Sequence, residues 1–330
     1  MTPERKVVVT IPGMPCINHD QYDTDGIRVE RFTAAPKDAA QRPPLICVHG
    51  GCHGSWSWQE HAAVYAAAGY EVHALNWRGR GGSAAINDDS FVNMSIADVV
   101  DDIDKVARCF DTPPALIGHS MGGLAAQLYA SAHEVGALVL LTPVVPSNVG
   151  ATPIELPIGD MDAPWGPPPP DVARQMFFQG LDDVQAAHFN ALLVPESPLR
   201  VYEATRWSLA VDATKLTAPI LIVSGALDIL TPPETGAALA ALYGATYQLE
   251  PAHGHNLLLG EGARRIAEDV IAWIVGRLAR LGPDSIKSPP LTSPNPLSTL
   301  YRRFACARLS QPYLPGSLSR RFRSAHHRGF

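Results

Sequence analysis

Short apolar runs patterned like buried strands alternate with helix-patterned segments along most of the chain, and this alternation admits few folds. A parallel strand covered on both faces reads as a near-continuous apolar run, and consecutive parallel strands need a helical crossover between them. PPLICVHGG (Pro43–Gly51) has such a centre and ends in glycine. Residues 57–68 are alanine-rich and helical in pattern until Gly69 stops them. GYEVHALNW (Gly69–Trp77) is the next strand and runs into the glycine-dense loop RGRGGS. In SIADVVDDIDKVARCF (Ser95–Phe110), Ile96, Val99, Val100, Ile103, Val106 and Ala107 fall on one face at helical spacing. That leaves Asp101, Asp102 and Asp104 mostly on a solvated face. PALIGHS, MGGLAAQLYASAH and VGALVLLTPV then read as strand and turn, helix, and strand. The pattern predicts a mainly parallel α/β sheet.

From about residue 146 to 212 the alternation breaks. PWGPPPP (Pro164–Pro170) is followed by the short helix-like DVARQMFFQG, and the stretch reads as a helical lid inserted into the sheet domain. APILIVSG (Ala218–Gly225) resumes the sheet; PPETGAALAALYG is a helix, ATYQLEPA a last strand, and Glu261–Leu281 a closing amphipathic helix. The expected organisation is an N-terminal segment 1–25, a domain 26–281 carrying the lid 146–212, and a tail 282–330. The tail is rich in Pro and Ser, then basic without periodicity, a composition that predicts disorder.

Charge is divided unevenly. The tail holds eight basic residues against one acid, Asp284, which leaves 18 basic and 31 acidic residues in the body, a net charge near −13. So acidic a body gives no reason to expect nucleic acid as a partner. No apolar run approaches the ~20 residues of a membrane span, and the N-terminus lacks the apolar core of a signal peptide, so a cytoplasmic location is expected. The five scattered cysteines (Cys16, Cys47, Cys52, Cys109 and Cys306) contain no CxxC pair and predict reduced, mostly buried thiols without a metal site. Nothing in the sequence speaks to oligomeric state.

The most chemically pointed stretch is LIGHSMGG (Leu116–Gly123). A serine hydroxyl is a weak nucleophile unless a base takes its proton and donors meet the oxyanion that forms. Gly118 and Gly122 flank Ser120 between a buried strand and a helix, so the turn can lift its side chain off the sheet toward helix-terminal amides. The same glycines would suit a plain tight turn, so partners decide. The base is expected after the last strand, where PAHGHNLLLG offers His253 and His255; GHN directly before an apolar run favours His255. The acid is expected at the end of the preceding strand, where LIVSGALDILTPP places Asp228. Asp228 could instead cap the helix beginning near Pro232, a part for which Thr231 is better placed. The order Ser, Asp, His is the one this sheet topology predicts. Oxyanion donors are expected from the Met121 amide and from Gly51, or Cys52 beside it, in VHGGCHGSW; His49 reads as a structural residue orienting that loop.

HGGCHGSWSW, NWRGRGGS, GHSMGG, ALD and GHN, in this order, resemble the α/β-hydrolase superfamily over about residues 26–281. The first motif is especially similar to plant methylesterases, hydroxynitrile lyases and small bacterial esterases. The resemblance implies an eight-stranded, mostly parallel sheet with a cap after the sixth strand. It implies nucleophile Ser120, acid Asp228, base His255, oxyanion amides from Gly51 and Met121, and no metal or cofactor. Superfamily members with an aspartate nucleophile are set aside by Ser120. The related lyases carry threonine at the position of Gly50 and lysine at that of Asn256, so this chain is expected to hydrolyse rather than eliminate cyanide. The triad is shared with cofactor-free haloperoxidases, and a thioesterase, a C–C bond hydrolase or a non-catalytic ligand-binding protein would keep the same fold. The expected substrate is a small to medium apolar ester, lactone or thioester. Its pocket is expected from Cys52, His53, Trp165, Phe177 and Phe178, with Met176, Phe189 and Trp207 as further candidates for an apolar wall.

Overall fold

Strands and helices do alternate, and the strands form one sheet. In the computed structural model, which describes residues 7–9, 15–34 and 42–281, the strands are β1 (Val7–Val9), β2 (Ile17–Thr24), β3 (Ile27–Ala34), β4 (Leu45–Val48), β5 (Val72–Leu75), β6 (Ala115–His119), β7 (Ala137–Leu141), β8 (Ile220–Gly225) and β9 (Thr246–Glu250). The helices are α1 (Gln59–Ala67), α2 (Asp88–Phe91), α3 (Val99–Ala107), α4 (Met121–Ala130), α5 (Pro170–Phe177), α6 (Asp183–Asn190), α7 (Pro198–Arg206), α8 (Pro233–Tyr243) and α9 (Ala263–Leu281). The tail from 282, and the disorder expected of it, lie outside the described residues.

Sheet order is β1-β2-β3-β5-β4-β6-β7-β8-β9. The pairings from β1 through β3 to β5 are antiparallel and the remainder parallel. Eight of these strands, β2 to β9, make the expected mostly parallel sheet, and β1 adds a three-residue antiparallel edge. Residues 17–24 are thus integral to the sheet, and the expected boundary at 25/26 falls in the hairpin turn between β2 and β3. The sequence hid this hairpin because INHDQYDT and IRVERFTA are half-exposed and largely polar, with only Ile17, Ile27, Val29 and Phe32 as apolar inward residues.

Side chains along each central strand alternate between two cores, as a period of two demands. Leu45, Cys47, Ile117 and Val139 face α1 and α9, while Ile46, Val48, Leu116 and Leu138 face α3, α4 and α8. Register aligns Val48 with Gly118, His119 with Leu141, and Leu141 with Val223. The carboxyl ends of β4, β6, β7 and β8 therefore lie side by side, where open α/β sheets build their sites. The segment after β7 contributes α5, α6 and α7. Met176, Phe177 and Phe178 join the α1/α9 core, and Trp207 the opposite one.

Two local expectations are corrected. Asp102 is fully buried, because Arg78 in the loop after β5 pairs with its carboxylate through both Nε and the backbone N–H. Helix α8 begins without a side-chain cap, and Thr231 turns its hydroxyl to Asp228 instead.

Candidate active site

Strand β6 ends at His119, and the chain reverses into α4 through Ser120, whose φ of +53° lies in a region that residues with a Cβ seldom enter. The turn is held by Ser120 N–H donating to the Leu141 carbonyl (3.1 Å) and by Val144 N–H donating to the Ser120 carbonyl (3.0 Å). Gly122 is required by close approach: a Cβ there would run into the carbonyls of Val48 and His49. The result is an Oγ raised at the head of α4, beside the ends of β4 and β7.

His255, in the loop after β9, meets Ser120 from above. Its Nε2 is 2.9 Å from Ser120 Oγ, and its Nδ1 is 2.9 Å from Asp228 Oδ2. A carboxylate on the Nδ1 side keeps the ring proton there and leaves the Nε2 lone pair to accept from the serine hydroxyl. All three side chains are buried. Asp228 is saturated: Oδ1 accepts from the amides of Leu230 (2.8 Å) and Thr231 (3.0 Å), and Oδ2 also accepts from the Thr231 hydroxyl (2.6 Å). The backbone of His255 is fixed as well, its carbonyl accepting from Thr142 Oγ1 (2.7 Å) and from His119 Nε2 (3.1 Å). Thr231 and Thr142 carried no sequence signal of their own, although Thr231 stands at the spacing of a turn closed on an aspartate. The other candidate, His253, points away and bonds the Glu261 carbonyl through Nε2 (2.9 Å).

Opposite lies the turn 50–53 after β4. Its carbonyls are engaged: Gly50 O accepts from His49 Nδ1 (2.8 Å) and Gly51 O from His53 Nδ1 (2.7 Å). The Cys52 amide is also taken, donating to Glu196 Oε2 at 3.1 Å. Among the described residues the amides of Gly51 and Met121 have no protein acceptor, and both residues line the cavity that contains Ser120. His49 supports the turn from below, stacked on Trp77 at 4.4 Å and accepting the Trp77 N–H at Nε2. Burial pushes the His53 ring down to about 4. Burial also holds His49 and His119 well below the ordinary imidazole range, aided for His119 by the nearby His255. All three rings are therefore neutral near pH 7.

The cavity, about 470 Å³ with its open mouth included, is walled on one side by lid residues Leu156, Trp165, Met176, Phe177 and Val201. Among the described residues no charged side chain lines it. Of the expected pocket residues, Cys52, Trp165 and Phe177 are at its wall. His53 and Phe178 are not: His53 stacks on Trp56 (5.2 Å) and meets Phe177 edge-on (5.3 Å), and Phe178 packs toward Phe189 in the α1/α9 core. Trp207 is likewise spent on structure, donating its Nε1–H to the Thr152 carbonyl (2.9 Å). Aromatic pattern alone does not separate a cavity wall from the packing behind it. Among the described residues no cluster of three or more His, Cys, Asp or Glu is placed to hold a metal ion, and no helix is long and apolar enough to cross a membrane.

Known proteins share this arrangement of strands and loops. The chain is 24% identical over 277 residues to a monoacylglycerol lipase of Mycolicibacterium smegmatis, covering 79% of this chain and 97% of that protein. It is 26% identical over 195 residues to methylesterase 7 of Arabidopsis thaliana, covering 53% and 68%. Among solved structures, an esterase from Exiguobacterium antarcticum superposes with a TM-score of 0.58 at 18% identity, covering 78% of this chain and 96% of that one. Residues 45–269 match the model of the alpha/beta hydrolase family. That match takes in β4 through the first turns of α9, and the chain belongs to the alpha/beta hydrolase family.

Proposed function

We propose that the chain is a serine carboxylesterase that cleaves a small to medium apolar ester through an acyl-enzyme. The observation that carries this reading is the unbroken path from Ser120 Oγ through the His255 ring to Asp228, 2.9 Å at each bond, opening on an uncharged cavity. His255 Nε2 takes the hydroxyl proton as Ser120 Oγ attacks the ester carbonyl carbon. The tetrahedral oxyanion is met by the Gly51 and Met121 amides, donors that need no reorganisation. Collapse breaks the bond to the alkoxy oxygen, which leaves as alcohol with the proton from His255. Water, deprotonated by the same nitrogen, then attacks the acyl-enzyme and releases the acid.

Hydrolysis is favoured over cyanide elimination by the residue after His255. Asn256 is neutral and committed, donating to His53 Nε2 (3.3 Å) and accepting the Leu258 amide (3.1 Å), so no cation stands there for an anionic leaving group. Lipase and methylesterase relatives support the same reaction type.

The test is labelling with a fluorophosphonate, followed by peptide mapping and by turnover of p-nitrophenyl esters of graded chain length. The expected result is one phosphonylated residue, Ser120, parallel loss of ester turnover, and preference for short to medium acyl chains. A protein that binds an apolar ester without turning it over, and leaves Ser120 unlabelled, overturns the proposal.

A further inference from the structure

The lid reaches the 50–53 turn through two bonds of opposite sense. Val194 N–H donates to the Cys52 carbonyl at 3.0 Å, and Cys52 N–H donates to Glu196 Oε2 at 3.1 Å. Glu196 is fully buried, yet it is well compensated. Its Oε1 accepts from Arg80 (2.8 Å), from Arg200 (3.3 Å) and from the Ser197 amide (2.9 Å). Burial works to raise its carboxyl, but the two guanidiniums outweigh that and hold it below the ordinary carboxylate range. The lid thus delivers a fixed anion to the back of the turn.

The turn needs such an anchor. Gly50 and Gly51 have no side chains to resist rotation of their peptides, and Cys52 sits at φ +60°, a conformation that a residue with a Cβ keeps only when its surroundings hold it. Every carbonyl from residue 50 to 53 has a donor, Arg80 Nη1 serving that of His53, and the amides of Cys52 and His53 have acceptors. Among the described residues only the Gly50 and Gly51 amides of this turn lack a protein acceptor. Of the bonds that fix the Gly51–Cys52 peptide, the one to Cys52 N–H comes from the lid.

We infer that Glu196 is a positioning residue: by clamping the Gly51–Cys52 peptide it fixes the ψ side of Gly51, and so the orientation of the adjoining Gly50–Gly51 peptide whose N–H faces the cavity, so that seating of the lid completes the oxyanion site. The inference rests on the serine esterase reading.

The experiment compares two double variants of the full chain. Glu196→Leu/Arg200→Met removes the acceptor while keeping the cluster's net charge; Arg80 loses its carboxylate but keeps the carbonyls of His53 and Pro195, and the cost of that loss shows in the urea midpoint rather than in kcat. Glu196→Gln/Arg200→Met makes the same change but restores an oxygen for Cys52 N–H. Loss of one oxyanion donor lowers kcat by about 10²–10³-fold. The first variant is therefore expected to lose about a hundredfold in kcat on p-nitrophenyl butyrate with KM within about threefold, and the second to recover most of the loss. Equal kcat in the two variants, or a loss carried by KM, overturns the inference. Amide exchange of the wild-type protein needs no variant: the Cys52 amide should be strongly protected and the Gly51 amide should exchange fast. Equal exchange at the two positions also overturns it. If wild-type Ser120 neither labels nor turns over ester, the esterase reading itself fails, a result distinct from either of these.

Discussion

At the scale of single residues, chemistry is divided between groups that would touch substrate and groups that hold them still. His255 and His253 stand two positions apart, yet one ring bridges Ser120 and Asp228 while the other bonds the Glu261 carbonyl. His255→Ala should lower kcat for p-nitrophenyl esters on the order of 10⁵-fold or more, whereas His253→Ala should retain most of it. Steady-state kinetics of the purified variants check this, and the reverse ranking would reassign the base. Ser120, Asp228 and His255 were legible in the sequence because each sits in a short loop of small and turn-forming residues just past a recognisable strand. Thr231, Thr142 and Glu196 were not. Their parts depend on which carbonyl, carboxylate or amide the fold brings within hydrogen-bond reach, and Glu196 meets Cys52 across 144 positions. His53 and Phe178 were expected at the pocket wall because they are aromatic and well placed along the chain, but they pack one layer behind it.

At the scale of elements, the junction of β6 with α4 is where fold and site depend on the same atoms. Gly122 faces the carbonyls of Val48 and His49 at the end of β4, so α4 lies against the strand with no room for a methyl group. Backbone cannot yield as a flexible side chain can. Gly122→Ala should therefore cost about 3 kcal/mol in stability, the upper part of the usual range for overpacking, and should lower ester turnover by displacing Met121 and Ser120 together. Chemical denaturation alongside kinetics checks it; an unchanged midpoint would show that the approach is slack. Helix α3 illustrates why faces are harder to read than periods. Its apolar stripe was plain from spacing, but Asp102 lies buried because Arg78, 24 positions earlier, supplies the charge that makes burial tolerable. The antiparallel hairpin β2–β3 is hard to read in the sequence for the opposite reason: its exposed face is polar and its inward residues are few.

At the scale of the whole molecule, buried histidines set the response to acid. Burial is the chief cause that pushes His53 and His61 down to about 4 and His73 to about 3, and it holds His49 and His119 well below the ordinary value. Between pH 6.5 and about 4 the unfolded chain takes up protons that these folded rings refuse, so unfolding becomes easier as pH falls through that window. The unfolding free energy should drop by at least about 3 kcal/mol between pH 7 and pH 4.5. Urea titrations at the two pH values measure this, and an unmoved midpoint would show that the rings protonate in place. Sheet class, lid position and crossover pattern were legible because they follow from local periodicity, whereas the edge strand β1 owes its place to pairing with β2. The two faces of the sheet also differ in when they can close. Helices α3, α4 and α8 cover one face, while the other is covered by α1 and α9, the first and last of the described helices, which pack together across some 200 positions. A chain leaving the ribosome can build the first face as it lengthens. Ile266, Val270 and Ile274 reach α1 only after nearly the whole domain has been synthesised, so until then the nascent protein presents an open apolar surface, the period in which chaperone capture would matter most.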